Sequence, residues 1–291
     1  MSFSVHEPAT LNEALGLLAH EGDAGAALAG GTDLLLRIRR GTRKYRSVIN
    51  IKRIKGLDGI RWDASEGLTL GALTTFRALE THPAVRDHYP ALAEAAHVVA
   101  GVQLRNLATI GGNLGNASPS ADSVPPLVAL GATVTIASAE GTRSMPAAGC
   151  LIGPGRTVLS PGEVFTTIRI PSPAPHSGNA FERFSPRAAM DIGIVSVAAA
   201  VAFDADGVCT SCRIALGAVS PVPLRAEAAE TALLGERLTP ALAAHAGEFA
   251  AAATKPISDI RGTADYRRAM VRVLTSRVVL HAASRAARSE R

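Results

Sequence analysis

Two stretches of the chain combine glycine with hydrogen-bonding side chains in a pattern suited to holding an anion. The first is Ala29-Gly30-Gly31-Thr32-Asp33-Leu34-Leu35. A short apolar run leads there into two glycines, a hydroxyl and a carboxylate. Glycine lets backbone N–H groups approach a phosphate with no Cβ in the way, and Thr32 adds a hydroxyl donor. The second is Thr109-Ile110-Gly111-Gly112-Asn113, followed by Ala117 to Asp122. Asn113 offers a donor and an acceptor, and Asp122 can accept from ribose or ribityl hydroxyls. Neither stretch is a G-x-G-x-x-G or a Walker loop. For the first, a tight strand-to-strand turn is the competing reading. Both follow apolar, strand-like residues. Together they read as two backbone nests with a diphosphate between them, a geometry that suits an anionic dinucleotide.

Other chemistry is poorly served. The cysteines are Cys150, Cys209 and Cys212, too few for the four thiolates of an iron–sulfur cluster and odd in number for a disulfide framework. Cys209 and Cys212 form a C-x-x-C inside a strand candidate, where residues three apart point to opposite faces. They read as two small strand residues. The eight histidines show no H-x-x-x-H or H-E-x-x-H spacing, so no metal ligands are expected. His97 reads as a partly buried helix residue. Ser118 and Ser120 lack a G-x-S-x-G context, and no catalytic acid–base pair is expected.

The elements that must position the glycine stretches are short. Thr10 and Glu13 form a capping box for a first helix with Leu11, Ala14, Leu15 and Leu18 on one face. Strands are expected at 26–29, 48–51 and 67–73, with Thr74 or Thr75 capping a helix after the last. Pro90 opens a helix. A short helix at 125–130 and a strand at 132–136 follow the second glycine stretch. Residues 171–180, PSPAPHSGNA, read as a linker. Beyond it, 194–203 and 208–219 read as a hairpin about Asp204-Ala205-Asp206-Gly207. Alanine-rich helices at 225–234 and 240–252 precede a last helix over 265–287. Tyr266, Met270, Val273 and Leu280 make the expected apolar stripe of that helix, with Arg267, Arg268 and Arg272 mostly off it. Strands and helices do not alternate evenly, so the class is α+β rather than doubly wound.

Composition agrees. The 291 residues are 47% hydrophobic and 19% charged, with 27 glycines and 17 prolines. That is a globular chain, and not a helical bundle. The net charge of +5 is a mild excess, part of it in a tail at Arg285, Arg288 and Arg291. No nucleic-acid partner is expected. No leader pattern opens the sequence, and no apolar run is long enough to span a bilayer. A cytoplasmic location is the expectation.

At the glycine stretches the sequence resembles a known family. AGGTDLL (29–35) and RNLATIGGNLGNASPSAD (105–122) look like the paired signatures of the FAD-binding medium subunit of molybdenum hydroxylases, the carbon monoxide dehydrogenase and xanthine dehydrogenase type. The likeness continues through 125–134, 162–171, 181–201 and DIRGTADYRRAMVRVL at 259–274. The resemblance implies a two-part FAD-binding domain of the vanillyl-alcohol-oxidase kind over 1–175, split near 57. A small C-terminal α+β domain, an antiparallel sheet with helices, follows over 176–291. Ala29, Gly30, Gly31, Thr32, Asp33, Leu34 and Leu35 would supply donors to the pyrophosphate. Thr109, Gly111, Gly112 and Asn113 would hold the phosphates and ribityl chain, and Asp122 would accept from a sugar hydroxyl. Leu159 falls at an apolar contact to the flavin. Arg183 falls where several members carry a lysine beside the ring, and arginine is bulkier and fixed in charge. Val99 falls where some members stack an aromatic. The resemblance further implies electron transfer within a complex: a large molybdopterin-binding subunit, a small [2Fe–2S] subunit, and NAD, a quinone or oxygen as final acceptor. A freestanding FAD-dependent oxidoreductase acting on a small molecule is the alternative.

Overall fold

The computed structural model describes residues 3–187 and 190–288. Arg291 of the basic tail, and Ala188 and Ala189 of the 181–201 segment, lie outside them. Ser4–His6 (β1), Gly25–Leu28 (β2) and Ser47–Asn50 (β3) form a parallel sheet in the order β1-β3-β2. Parallel strands need crossover connections, and Leu11–Glu21 (α1) and Leu34–Arg39 (α2) supply them. This corner is therefore a small βαβαβ unit, which the uneven alternation did not lead us to expect. The run after the first glycines is a helix, so those glycines turn strand into helix, not strand into strand. The expected cap of α1 forms: Thr10 Oγ1 accepts from Glu13 N at 3.2 Å, while the Glu13 carboxylate reaches back to Ala9 N at 2.9 Å.

The second sheet is antiparallel. It takes, in this order, Ile60–Asp63 (β4), Gly67–Gly71 (β5), a later strand, Thr133–Ser138 (β6) and Gly141–Pro146 (β7). The pair Leu151–Gly153 (β8) and Arg156–Thr157 (β9) precedes that later strand, Val164–Ile170 (β10). Six short helices pack with this sheet: Phe76–Thr81 (α3), Pro83–His88 (α4), Pro90–Val98 (α5), Val102–Arg105 (α6), Ile110–Asn116 (α7) and Val124–Ala129 (α8). Of the two threonine caps considered for α3, the structure uses Thr75, whose Oγ1 accepts from Ala78 N.

The third sheet is an antiparallel meander of Ser177–Phe184 (β11), Val195–Phe203 (β12), Cys209–Gly217 (β13) and Leu224–Arg225 (β14). Helices Glu227–Leu233 (α9), Pro240–Ala252 (α10) and Ala264–Ala286 (α11) follow. β12 is apolar almost throughout because both of its faces are covered. Ala198 joins the core of the second sheet, while Val195, Val197, Ala199 and Val201 join the core beneath the terminal helices. The hairpin turn is held by Asp204, whose Oδ1 accepts from Asp206 N and Val208 N.

Several expectations are corrected by long-range packing. Four residues of the 171–180 linker, 177–180, are strand. Gly178 is there because a Cβ would sit 2.1 Å from Ala282 O of α11. Asn179 is buried: its Oδ1 accepts from Ala91 N and its Nδ2 donates to His88 O. The buried face of α11 is Val271, Leu274, Val278, Val279, Ala282 and Ala286, together with Arg267 and Thr275. Tyr266 and Val273 of the expected stripe are exposed. The helix buries the face of Val271 and Leu274 because it lies against both β11–β12 and α10. Arg285 is not a solvated tail residue; it pairs with Glu94 of α5 and donates to Asn179 O at 2.7 Å. His97 is exposed and meets Glu80 Oε1 at 2.8 Å. Cys209 and Cys212 share one buried face. A bulge opposite Ala202 and Phe203 falls between them and resets the strand's parity.

Candidate functional site

The two glycine stretches meet. A Cβ at Gly30 would lie 2.1 Å from Leu107 O and 3.0 Å from Ala108 Cα, so only glycine lets the first stretch touch the second. Gly31 sits at φ 78, a left-handed conformation that favours glycine. The second stretch is fixed in turn: Phe76 N donates to Ala108 O, and Ile110 N to Thr74 O. Between them runs a cleft of about 600 Å³. Ala29, Gly30, Gly31, Thr32, Asp33 and Leu34 line it from one side, and Thr109, Gly111, Gly112 and Asn113 from the other.

The donors of the two stretches differ. Among the described residues, no acceptor in the chain takes the backbone N–H of Gly30, Gly31, Thr32, Asp33 or Leu34. Five consecutive amides beside an open cleft form an anion-binding concavity. Leu35 departs from expectation: its N–H donates to Gly31 O, and its side chain is exposed, away from the cleft lining. The second stretch is not preceded by a strand, because α6 lies there and Thr109 caps α7. Its amides are already used. Ile110 N, Gly111 N and Asn113 N donate to Thr74 O, Ala72 O and Thr109 O, and Gly112 N donates to Thr109 Oγ1 at 3.1 Å. This side offers side chains instead of a second backbone nest: the Thr109 hydroxyl proton, and the Asn113 amide NH₂. Asn113 is oriented by Ser123, whose hydroxyl donates to Asn113 Oδ1 at 2.7 Å.

Leu159 and Val99 also line the cleft. Each is held by a buried or bidentate arginine. Arg143 donates to both oxygens of Glu163, at 3.0 and 2.8 Å, and to Val158 O, which fixes the loop carrying Leu159. That guanidinium holds the Glu163 carboxyl below its ordinary range. Arg105 donates to Val99 O and Ala100 O while pairing with Glu80. It thereby fixes the turn at Ala100, whose φ is 44.

Asp122 and Arg183 stand apart from the cleft lining. They face each other across 2.9 Å, with the Arg183 side chain only 2% exposed. Among the described residues, Arg183 Nη2 has no partner. Burial pushes the Asp122 carboxyl up to about 6, and the facing guanidinium only partly opposes this. Ser123, the next residue after Asp122, connects the pair to Asn113. Arg183 lines a second groove of about 730 Å³, together with Glu80, Glu94, His97 and His281.

Sequence reasoning passed over Arg37, Arg43 and Tyr45, which line the main cleft. Arg37 Nη2 is anchored on Asn116 Oδ1 at 2.5 Å. The available signal was the run RIRRGTRKYR at 37–46, directly after the first glycines. Among the described residues, no helix is long and apolar enough to cross a membrane. No group of three or more His, Cys, Asp or Glu is placed there to hold a metal ion.

The family described as the FAD binding domain in molybdopterin dehydrogenase matches residues 1–173, and the CO dehydrogenase flavoprotein C-terminal domain matches 180–282. The chain belongs to the FAD-binding subunit family of the molybdenum hydroxylases, and it is an FAD-binding oxidoreductase subunit. The carbon monoxide dehydrogenase medium chain of Hydrogenophaga pseudoflava is 34% identical over 285 residues, 98% of each chain. The xanthine dehydrogenase FAD-binding subunit of an Escherichia coli strain is 34% identical over 284 residues, 97% of each. Among solved structures, carbon monoxide dehydrogenase from Hydrogenophaga pseudoflava superposes with a TM-score of 0.93 at 35% identity, covering 98% of both chains. Quinoline 2-oxidoreductase from Pseudomonas putida gives 0.91 at 33%, again over 98% of both.

Proposed function

We propose that this chain is the electron-transfer subunit of a heteromeric molybdenum hydroxylase. It takes electrons from a small [2Fe–2S] subunit, fed by a large molybdopterin-binding subunit, and delivers them to NAD, a quinone or oxygen. Bound FAD supplies the ability to take up and release electrons singly or in pairs. The observation that carries the reading is the run of five amides, Gly30 to Leu34, with no acceptor among the described residues, beside a cleft of about 600 Å³. In this reading those amides bind the pyrophosphate and Arg37 and Arg43 add positive charge. Thr109 and Asn113 donate to phosphate and ribityl oxygens, and Leu159 and Val99 press on the ring and exclude water. Asp122 accepts from a sugar hydroxyl through a carboxylate that Arg183 keeps in place. The boundary at 175–176 and a subdivision near 57 follow from the same reading, supported by the meeting of the two family matches between 173 and 180. A cytoplasmic location belongs to the reading as well.

The relatives' names support a subunit role: a medium chain in one case, an FAD-binding subunit in another. The test is purification of the tagged chain from its native cell. Native mass spectrometry should find two further chains, with iron and molybdenum in the complex, and substrate should bleach the flavin absorbance. A chain that purifies alone with FAD and oxidises a small molecule at a full catalytic rate would establish the freestanding enzyme instead.

A further inference from the structure

The RGTADYRR segment at 261–268 has no contact with the cleft described above, yet it holds one of the most buried cations in the chain. Arg267, at the start of α11, is 3% exposed. Its Nη1 donates to Ile194 O at 2.9 Å and to Ala218 O at 3.1 Å, and its Nη2 donates to Asp259 Oδ1 at 2.9 Å. Among the described residues, its Nε has no partner. A guanidinium is costly to bury, and a well-packed apolar side chain serves a core at least as well. Here Nη1 alone joins two carbonyls from two separate strand ends, and the planar fork lets Nη2 reach Asp259 at the same time.

The first of those carbonyls belongs to a segment that touches the Asp122–Arg183 pair, and the second to a segment bonded to the loop before Asp122. Ile194 follows Gly193, and a Cβ at Gly193 would lie 2.8 Å from Arg183 Cδ and 3.6 Å from Asp122 Oδ1. The backbone there is pressed against the pair. On the other side, Ala218 N donates to Pro119 O at 2.8 Å, in the loop that leads into Asp122. Ala218 sits at φ 64 without being glycine. Such a conformation persists where its surroundings over-determine it. The Pro119 and Arg267 bonds do so here from the two ends of one residue. Thus one guanidinium holds both the segment pressed on the pair and the segment bonded to the loop that leads into Asp122.

We propose that Arg267 is a positioning residue for the flavin site, setting the distance and orientation of Asp122 against Arg183 by tying Ile194 to Ala218. This rests on the reading in which Asp122, kept in place by Arg183, accepts from a sugar hydroxyl of bound FAD.

The test uses the FAD-loaded protein as purified, with its partner subunits where they accompany it. Four variants are compared with wild type: Arg267→Met, Arg267→Lys, Asp122→Asn and Arg225→Met. The last breaks the Arg225–Glu230 ion pair elsewhere in the same C-terminal region and controls for lost stability. Readouts are the FAD dissociation constant, the position of the flavin absorption bands and the melting temperature. Arg267→Met should weaken FAD binding about tenfold and move the flavin bands in the direction that Asp122→Asn moves them. Arg267→Lys, which can still donate to a carbonyl, should recover part of both effects. Arg225→Met should lower the melting temperature with FAD affinity and bands unchanged. If Asp122→Asn moves affinity and bands while Arg267→Met and Arg267→Lys behave like Arg225→Met, the positioning inference is wrong and the site reading stands. If Asp122→Asn itself leaves both unchanged, the site reading fails and the inference falls with it. Should Arg267→Met not fold, the lysine variant alone decides between these outcomes.

Discussion

Replacing Gly30 by alanine tests the meeting of the two glycine stretches. The new Cβ would fall 2.1 Å from Leu107 O, 2.9 Å from Leu107 C and 3.0 Å from Ala108 Cα. All three are backbone atoms, so no side chain can swing aside. Ordinary contact for a Cβ begins at 3.4 Å, which requires the stretches to part by about 1 Å in a region packed at crystal-like density. Overpacking of this kind costs about 1–3 kcal/mol. Displacing one wall of a ligand cradle by about 1 Å weakens positioning of that ligand by a factor on the order of 100. Gly16→Ala is the matched control. Gly16 is an interior residue of α1 with nothing within 4 Å of a built Cβ, so alanine should stabilise by up to about 1 kcal/mol. The assay is thermal melting of the flavin-free chain together with FAD titration followed by quenching of flavin fluorescence. The expected result is a lower melting temperature and a lost or strongly weakened FAD isotherm for Gly30→Ala only. FAD binding within about twofold of wild type, well under 1 kcal/mol, would refute the argument that this close approach builds the site.

Other expectations follow from single contacts. Asp122 in the folded chain titrates at about 6 because it is buried, so the folded state holds its proton more tightly than the unfolded state does. Its contribution to stability should be fully present only below the unfolded value of 3.8 and be lost as pH rises through the folded value, a total of about 3 kcal/mol between roughly pH 3 and pH 7. The difference in unfolding free energy between wild type and Asp122→Asn, measured across that window, should slope accordingly, and a flat difference would count against it. Thr109→Ala removes the cap on Gly112 N and should cost about 1 kcal/mol, while Thr109→Ser should retain the cap in a denaturant melt. Glu230→Ala leaves Ile214 N unpaired in the core and strips Arg225 of its partner. A loss of about 3 kcal/mol is expected, with FAD affinity unchanged. All three cysteines are buried, and burial pushes the Cys150 thiol up to about 11. A thiol reagent should therefore modify none of them until the chain unfolds, and fast labelling of the native protein would contradict the packing described.

The sequence by itself determined what depends on neighbours along the chain. Thr10, Thr75 and Thr109 cap helices because their hydroxyls reach an amide three residues on. Asp204 turns the β12–β13 hairpin by the same local logic. The glycine pairs marked the cleft, since few other residues allow such backbone approach. Tertiary structure alone decided which groups were left over. The amides of Gly30 to Leu34 are open while those of Ile110 to Asn113 are not, because the second stretch docks on Ala72 and Thr74. Cys209 and Cys212 share a face because the bulge forms against β12. Gly178 and Asn179, which look like linker residues, are strand residues because α11 and α5 approach them closely. Arg267, one helical position from an exposed tyrosine, is buried because two strand ends present carbonyls to it. Local spacing fixes what a backbone can adopt. Whether a donor is satisfied, and whether a charge is buried, is settled by partners far away in the chain.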